Sequence, residues 1–123
     1  MAAQQIVAEE FETARRLLDF LEADGFVVDT AIWALDEEGR GRLFIVPRGR
    51  GDDTLRETIR VAQTIVDHRD ELPGRYDLRY SVVKPENEIV QAVKVATAPD
   101  GRVRGAYHNG TYVDEAFILR PAA

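Results

Sequence analysis

The chain has 123 residues, of which 45% are hydrophobic and 31% are charged, a composition typical of one folded, globular domain. It contains no cysteine, which excludes disulfide frameworks, thiolate nucleophiles and cysteine-based zinc sites. The formal net charge of −6 argues against broad, non-specific binding of nucleic acid, which depends on neutralising phosphates with lysine and arginine.

The first residues, "MAAQQIVAEEF", carry acidic side chains where a signal peptide needs a basic flank. No apolar run approaches the roughly 20 residues of a membrane span. We therefore expect a cytoplasmic protein that does not contact a membrane. The charge is unevenly distributed, because residues 1–39 carry ten acidic residues and two arginines, whereas residues 40–60 carry six arginines and three acidic residues.

The first part of the chain predicts a helix followed by a β-hairpin. In residues 3–23 apolar residues recur at helical spacing, and Gly25 stands where a C-terminal cap takes a positive φ. The segments 26–36 and 42–47 are short, rich in β-branched or aromatic residues, and separated by glycine-containing turn chemistry. Residues 43–46 are all apolar, which is typical of a strand covered on both faces.

A second helix is indicated by "TLRE" at 54–57, which has the spacing of a capping box, and by Pro73-Gly74 at its end. We expect its buried stripe to consist of the apolar residues at helical spacing, namely Leu55, Ile59, Ala62 and Val66. The opposite face is expected to hold the polar residues Arg56, Arg60, Gln63, Asp67 and Glu71.

The remaining segments predict a strand, a short helix and a second hairpin. Residues 75–84 alternate cleanly, with one face formed by Tyr76, Leu78, Tyr80 and Val82. In residues 85–96 the β-branched side chains favour a strand, but the leading proline, the early glutamates and the late lysine favour the short helix that we adopt. Strands near 102–108 and 111–119 flank Asn109-Gly110, a strong signal for a type I′ turn.

Regular pairing across this turn predicts three cross-strand pairs: His108 with Thr111, Tyr107 with Tyr112, and Arg104 with Glu115. Gly105 then lies opposite Asp114, where a bulge would adjust the facing of the following residues. Under this pairing His108 and Asp114 lie on opposite faces of the ribbon, so they cannot form a local acid–base dyad.

The elements follow the order αββαβαββ and predict a single α+β domain over residues 1–123. We expect about five mainly antiparallel strands, with about three helices packed on one face of the sheet. The other sheet face, or an edge strand, would then need a cover, and such surfaces commonly mediate association.

The segment "NGTYVDEAFILR" at 109–120 resembles the C-terminal signature of a family of small, uncharacterised bacterial proteins. In that family an Asn-Gly or similar turn leads into a tyrosine, an aliphatic residue, two acids, alanine, an aromatic residue, isoleucine and a final arginine. The matching residues here are Tyr112, Val113, Asp114, Glu115, Ala116, Phe117, Ile118 and Arg120. Leu119 stands where the family more often has an aromatic residue. The resemblance extends more loosely to the Trp33 hairpin, the following helix and the Pro85 segment, and it implies an α+β domain without an activity or site to transfer.

Two groups of residues are candidates for an interaction or ligand surface. One is a basic patch formed by Arg48, Arg50, Arg56 and Arg60. This patch suits an anionic partner, such as the acidic first segment of a second copy of the chain. The alternative is an exposed face of mixed charge without a partner. The other is the tip of the second hairpin: Tyr107, His108, Tyr112 and Glu115. The loop "RGRGDD" before the second helix is placed like a phosphate-binding loop, but it lacks the Lys-Ser/Thr of a P-loop and brings two aspartates to the helix entrance.

The sequence offers no coherent set of catalytic or metal-binding residues. In "DHRDE" at 67–71, His68 points about 100° away from Asp67 around a helix, whereas metal ligands on a helix must converge from one face. With His68 and His108 in separate elements, no nucleophile–base pair can be assigned. We therefore predict no catalytic residue, metal or cofactor.

These observations favour a non-enzymatic interaction module of unknown biological role, which we expect to form a homodimer. Binding to a different protein is a further option. A first alternative is a small-ligand binder or an enzyme with a site near the 106–117 hairpin, in which His108 lies close to a carboxylate from another element. A weaker alternative is a nucleic-acid partner at the Arg48–Arg60 patch, which the negative net charge disfavours.

Overall fold

The computed structural model describes residues 2–35, 40–48, 54–72, 78–96 and 101–121, with side chains from Glu9 onward. These residues form three α-helices and five β-strands. The helices are α1 (Ala2–Ala23), α2 (Thr54–Asp67) and α3 (Glu88–Val95), and a 3-10 turn at Arg69–Glu71 follows α2. The strands are β1 (Val28–Leu35), β2 (Gly41–Pro47), β3 (Tyr80–Val82), β4 (Arg102–His108) and β5 (Thr111–Arg120).

The five strands form one sheet in the order β3-β2-β1-β5-β4. β1 is antiparallel to both β2 and β5, and β5 is antiparallel to β4. β3 pairs in parallel with β2 and forms one edge of the sheet. The predicted fold class is therefore confirmed: the chain is a single α+β domain with a mixed, mainly antiparallel sheet, and its elements follow the predicted order.

The helices cover both faces of this sheet, so the prediction that all of them pack on one face is wrong. Trp33 and Ile45 point to the face that is covered by α1 and α2. Ile32 and Phe44 point to the other face, where they meet α3. The physical reason is that the centres of β1 and β2 are buried on both sides, as the unbroken apolar run at 43–46 indicates, and each apolar face needs its own cover.

α1 packs and ends as its sequence predicts. Its buried face consists of Ala14, Leu17, Leu18 and Leu21. At its end the Phe26 N–H donates to the Leu21 carbonyl at 2.9 Å, and the Gly25 N–H donates to the Glu22 carbonyl at 3.1 Å. Gly25 has a φ of 85°, which a residue without a side chain adopts at little cost. These two bonds form a Schellman cap, which turns the chain directly into β1.

α2 is rotated relative to the prediction. Its buried residues are Glu57, Val61 and Thr64, not the apolar stripe. The predicted stripe faces outward, with exposed fractions of 70% for Leu55, 61% for Ile59 and 51% for Val66. Helical periodicity reveals that an apolar stripe exists, but it does not reveal whether the stripe meets the protein's own sheet. Here the side of α2 that contacts α1 and β3 is the smaller and more polar one.

His68, just after α2, fixes the inward side of this helix against α1. Its ring stacks on Phe20 with 3.9 Å between ring centroids and an interplanar angle of 7°. Its Nε2 atom lies 3.6 Å from Asp24 Oδ2, and its Nδ1 atom lies 3.8 Å from Glu71 Oε2. The Thr64 hydroxyl also lies 3.5 Å from Asp24 Oδ2. In the part of the chain that is described, no group of three or more histidine, aspartate or glutamate residues could hold a metal ion.

The ambiguous segment at 85–96 contains a helix, as predicted, although α3 begins at Glu88 rather than at Pro85. The Asn87 side-chain oxygen accepts from the Ile89 N–H at 2.9 Å and from the Val90 N–H at 3.3 Å. This cap satisfies two amides of the first turn and fixes where the helix starts. The buried side of α3 then lies against β4 and β5.

β3 forms the predicted half-buried strand over a shorter length. Leu78, Tyr80 and Val82 all belong to the core on the α1–α2 side, whereas Tyr76 lies outside the described residues. Partial burial removes water from the Tyr80 hydroxyl and raises its pKa above the ordinary value of 10.0. The Arg42 guanidinium donates to the Ser81 hydroxyl at 2.9 Å, which adds a side-chain link between β2 and β3.

The second hairpin has the predicted register and turn. Asn109 and Gly110 have φ values of 47° and 85°, as a type I′ turn requires, and all three predicted cross-strand pairs are present. The expected bulge at Gly105 is absent, because the pairing of β4 with β5 continues without a shift in register. The facing nevertheless changes there: Val103 and Ala106 are three positions apart and both contact the α3 side, and Gly105 between them has a φ of 67°.

An aromatic cluster joins α1 to the two central strands. Phe11 of α1 meets Trp33 of β1 edge to face, with centroids 5.4 Å apart, and meets Phe117 of β5 in the same way at 5.3 Å. Trp33 is 2% exposed, and its Nε1 atom has no hydrogen-bond partner among the described residues, so the indole contributes through packing. Gly41 on β2 leaves the space for the ring, since a Cβ at this position would overlap the indole.

We expect Gly41→Ala to lower the free energy of unfolding by about 1–3 kcal/mol, the usual cost of forcing extra atoms into a packed core. Urea unfolding followed by circular dichroism measures this. In a Trp33→Leu background the same substitution costs much less, because the overlapping ring is gone. Equal costs in the two backgrounds would show that the ring is not the reason for the glycine.

Candidate functional site

The structure separates the two predicted surfaces. At one end of β1, Val28 pairs with Pro47 of β2, and Arg48 follows immediately. At the other end of β1, Leu35 pairs with Glu115 of β5, and the hairpin tip continues beyond this point. The basic patch and the hairpin tip therefore lie at opposite ends of the sheet and cannot form one site.

The basic patch surrounds a cavity of about 420 Å³. Arg48, Arg56 and Arg60 line it together with Glu57. The sequence predicted this grouping of arginines, and the structure brings three of the four together from the end of β2 and the first two turns of α2. Arg50, with the rest of the loop at 49–53, lies outside the described residues.

The remaining lining comes from a segment that the sequence reading did not connect with the patch. Gly25 and Val27, between α1 and β1, and Pro47 on β2 complete the wall. The Arg48 N–H donates to the Val27 carbonyl at 3.1 Å, which holds the two segments side by side. Val27 is 54% exposed, which its place in an apolar strand segment does not reveal.

Arginine contacts orient the guanidinium groups around the cavity. The Arg60 guanidinium carbon lies 5.0 Å from the centroid of the Phe26 ring, and its Nη1 atom lies 3.6 Å from Glu57 Oε2. Arg48 Nε lies 3.8 Å from Asp29 Oδ1. Both ion-pair distances exceed the roughly 2.8 Å of a direct charge-assisted hydrogen bond, so these contacts position the arginines without engaging an N–H donor tightly.

At the hairpin tip the structure supplies a carboxylate from another element. His108 Nε2 lies 3.9 Å from Oε2 of Glu88, the first residue of α3. Tyr107 and Tyr112 pair on the outer side of the ribbon and remain 68% and 55% exposed. His108 is thus turned toward α3, while the two tyrosines point away from it. The four predicted tip residues do not converge on one point.

Glu115, the fourth predicted tip residue, has a structural contact. Its Oε1 atom accepts from Arg102 Nη2 at 2.6 Å and from Arg102 Nε at 3.1 Å. The predicted partner, Arg104, is its backbone neighbour across the strands, but the ion pair forms diagonally. Arg102 also lies over the Phe117 ring, 5.5 Å from its centroid, so this pair belongs to the packing of β4 on β5.

Arg120, the last residue of the predicted signature, ties β5 to α1. Its Nη2 atom lies 2.7 Å from Asp19 Oδ1 and its Nε atom lies 2.8 Å from Glu22 Oε1, and the side chain is only 15% exposed. Val113 and Ala116 of the same segment are buried against α3. Packing and ion pairing therefore account for much of this segment without a catalytic or ligand-binding role.

Comparison with known proteins finds no matching family model, no matching curated protein and no matching solved structure. The resemblance of residues 109–120 to a bacterial family stays a prediction. Among the described residues, no helix combines the length and apolarity needed to cross a membrane.

We expect the two halves of the 109–120 segment to respond differently to truncation. Phe117→Ala lowers the free energy of unfolding by about 3 kcal/mol, because it removes a ring from the aromatic cluster. Tyr112→Ala lowers it by less than about 1 kcal/mol, the range of a single cross-strand pair. Thermal and urea unfolding of both variants check this, and a Tyr112→Ala variant as unstable as Phe117→Ala would contradict it.

Proposed function

We propose that this protein is a non-enzymatic interaction module that forms a homodimer through the outward face of α2. The observation that carries the proposal is the exposed stripe of Leu55, Ile59 and Val66, three large apolar side chains that are each more than half exposed. With Ala62 they recur at the spacing of one helical face, the pattern of helices that pack against other helices. Exposed apolar surface of this kind commonly marks an interaction site.

The stripe lies nearly opposite the side that holds α2 to the domain. Because α2 is already anchored through Val61, Thr64 and the neighbouring His68, its outward stripe has no packing role within the described chain. A helix that served only this domain would carry polar residues on its outward face. The apolar outward face thus favours a partner.

The charges beside the stripe favour a second copy as that partner. Arg56 and Arg60 lie along one flank in the first half of α2, and Asp67 lies on the same flank at its last residue. When two copies of α2 pack antiparallel about a two-fold axis, these flanks fall on the same side, and Arg56 of each copy meets Asp67 of the other. The ion pair forms twice in an isologous interface.

The helix dipole adds a second reason for antiparallel pairing. Arg56 lies in the first turn, near the positive end of the dipole, and Asp67 lies at the negative end. Each placement opposes the ordinary preference by about 0.3–1 kcal/mol on an exposed surface. An antiparallel neighbour places an opposite charge and an opposite dipole end beside each residue, and so offsets this cost.

We expect Ile59→Asp to weaken self-association by at least about 30-fold, because it places a charge at the centre of the stripe. Sedimentation velocity across a concentration series measures the change, starting from a species of twice the 13.8 kDa chain mass at tens of micromolar. Val95→Asp is the matched control, since Val95 is 74% exposed on α3, away from the stripe. A wild-type chain that stays monomeric throughout would remove the proposal.

The antiparallel arrangement has its own test. Arg56→Asp and Asp67→Arg each weaken the dimer, because each brings like charges together, and the double variant regains wild-type association. Restoration identifies the pair, since helices packed in parallel would not place these residues together. A double variant weaker than either single variant would rule out this geometry.

One observation favours the alternative of a small-ligand site at the second hairpin, namely the approach of His108 to Glu88 at 3.9 Å. A ligand that binds there perturbs both side chains. A fragment screen by nuclear magnetic resonance, repeated with Glu88→Gln, tests this alternative. We expect fragments that shift the His108 resonances in the wild type and no longer bind in Glu88→Gln. A screen without such fragments would dismiss the site.

A further inference from the structure

A cavity that is separate from the apolar stripe lies between the end of β2 and the first turns of α2. Arg48, Arg56 and Arg60 line it, and Glu57 is the acidic residue in its described wall. Among these described residues three arginines stand against two carboxylates, Glu57 in the wall and Asp29 beside Arg48, in a chain whose overall charge is −6. Such a local excess of positive charge attracts small anions even when the whole protein is acidic.

Arg48 and Arg60 contact other described side chains in the absence of a ligand. The Phe26 ring supports the Arg60 guanidinium at 5.0 Å, and Asp29 lies 3.8 Å from Arg48 Nε. A preorganised guanidinium loses less conformational entropy on binding than a mobile one, and its fork of N–H donors matches the oxygens of a phosphate group. These two arginines come from different elements, so they approach an anion from two directions.

The rest of the cavity limits which anion fits. A volume of about 420 Å³ is in the range of small-molecule sites and exceeds what a bare inorganic ion fills. Val27 and Pro47 offer apolar contact to an organic part. Glu57 has an 11% exposed side chain, and its carboxylate accepts hydrogen bonds from hydroxyl groups but repels a second anionic group.

We propose that this cavity binds a phosphomonoester of a small, hydroxyl-bearing organic molecule. Arg48 and Arg60 bind the phosphate, Glu57 accepts from a hydroxyl, and Val27 and Pro47 contact the carbon skeleton. The apolar stripe of α2 does not line the cavity, whereas Arg56 does and also pairs with Asp67 in the proposed dimer, so Arg48 and Arg60 are the phosphate ligands that self-association leaves in place.

Isothermal titration calorimetry at low ionic strength tests the proposal, with inorganic phosphate, glycerol 3-phosphate and glycerol as probes. We expect saturable binding of both phosphates, tighter binding of glycerol 3-phosphate, and no binding of glycerol. Arg60→Gln weakens both phosphates by about tenfold or more, the loss of one charge-assisted contact, and Arg60→Lys restores only part of it. Arg104→Gln, an exposed arginine on β4, leaves binding unchanged.

The Glu57→Gln variant distinguishes the role of the Glu57 carboxylate from that of the arginines. It strengthens the binding of inorganic phosphate, because a negative charge is removed. It also reduces the difference in affinity between glycerol 3-phosphate and inorganic phosphate, because the hydroxyl loses a charged acceptor. Circular dichroism confirms that each variant is folded, and the Ile59→Asp variant, as a monomer, binds phosphate like the wild type. Phosphate binding that does not saturate, or that is equal in Arg60→Gln and wild type, overturns the proposal.

Discussion

The packing of the Trp33 indole over Gly41 is the contact on which the rest of the fold depends. It lies where β1 meets β2, and the same ring contacts Phe11 of α1, which in turn contacts Phe117 of β5. The first helix, the central strand β1 and the last strand β5 thus meet in one aromatic cluster, to which β1 contributes Trp33. With α1 fixed in this way, α2 can attach through its less apolar side, and its apolar stripe is left facing outward.

Much of the fold was predictable because its signals are local. Asn109-Gly110 specifies both the turn and the register of β4 with β5, and Gly25 specifies the end of α1. The rotation of α2 was not predictable, because the strength of an apolar stripe is a property of the helix alone, whereas its burial depends on what the tertiary structure places beside it. Thr64 and His68 gain their inward positions from Phe20 of α1 and from Asp24, which directly follows that helix.

In the candidate surfaces, too, the features that depend on nearby residues were predictable and those that depend on contacts between distant elements were not. The arginines at 48, 56 and 60 are close in sequence, so their proximity in space was a reasonable prediction. The cavity they share also needs Val27, whose position depends on how α1 ends and β1 begins. Likewise the prediction that His108 and Asp114 lie on opposite faces uses strand alternation alone, whereas the approach of Glu88 to His108 depends on α3 lying across one face of the sheet.

The strand order has a consequence for how the protein is made. β5 follows the other four strands along the chain, yet it lies between β1 and β4. During synthesis β1 and β2 can pair early, but the second edge of β1 stays open until residues 111–120 leave the ribosome. Arg120 then joins Asp19, 101 positions away, so the last step of assembly also secures the first helix. The nascent chain therefore carries a central strand with one open edge until β5 has been made.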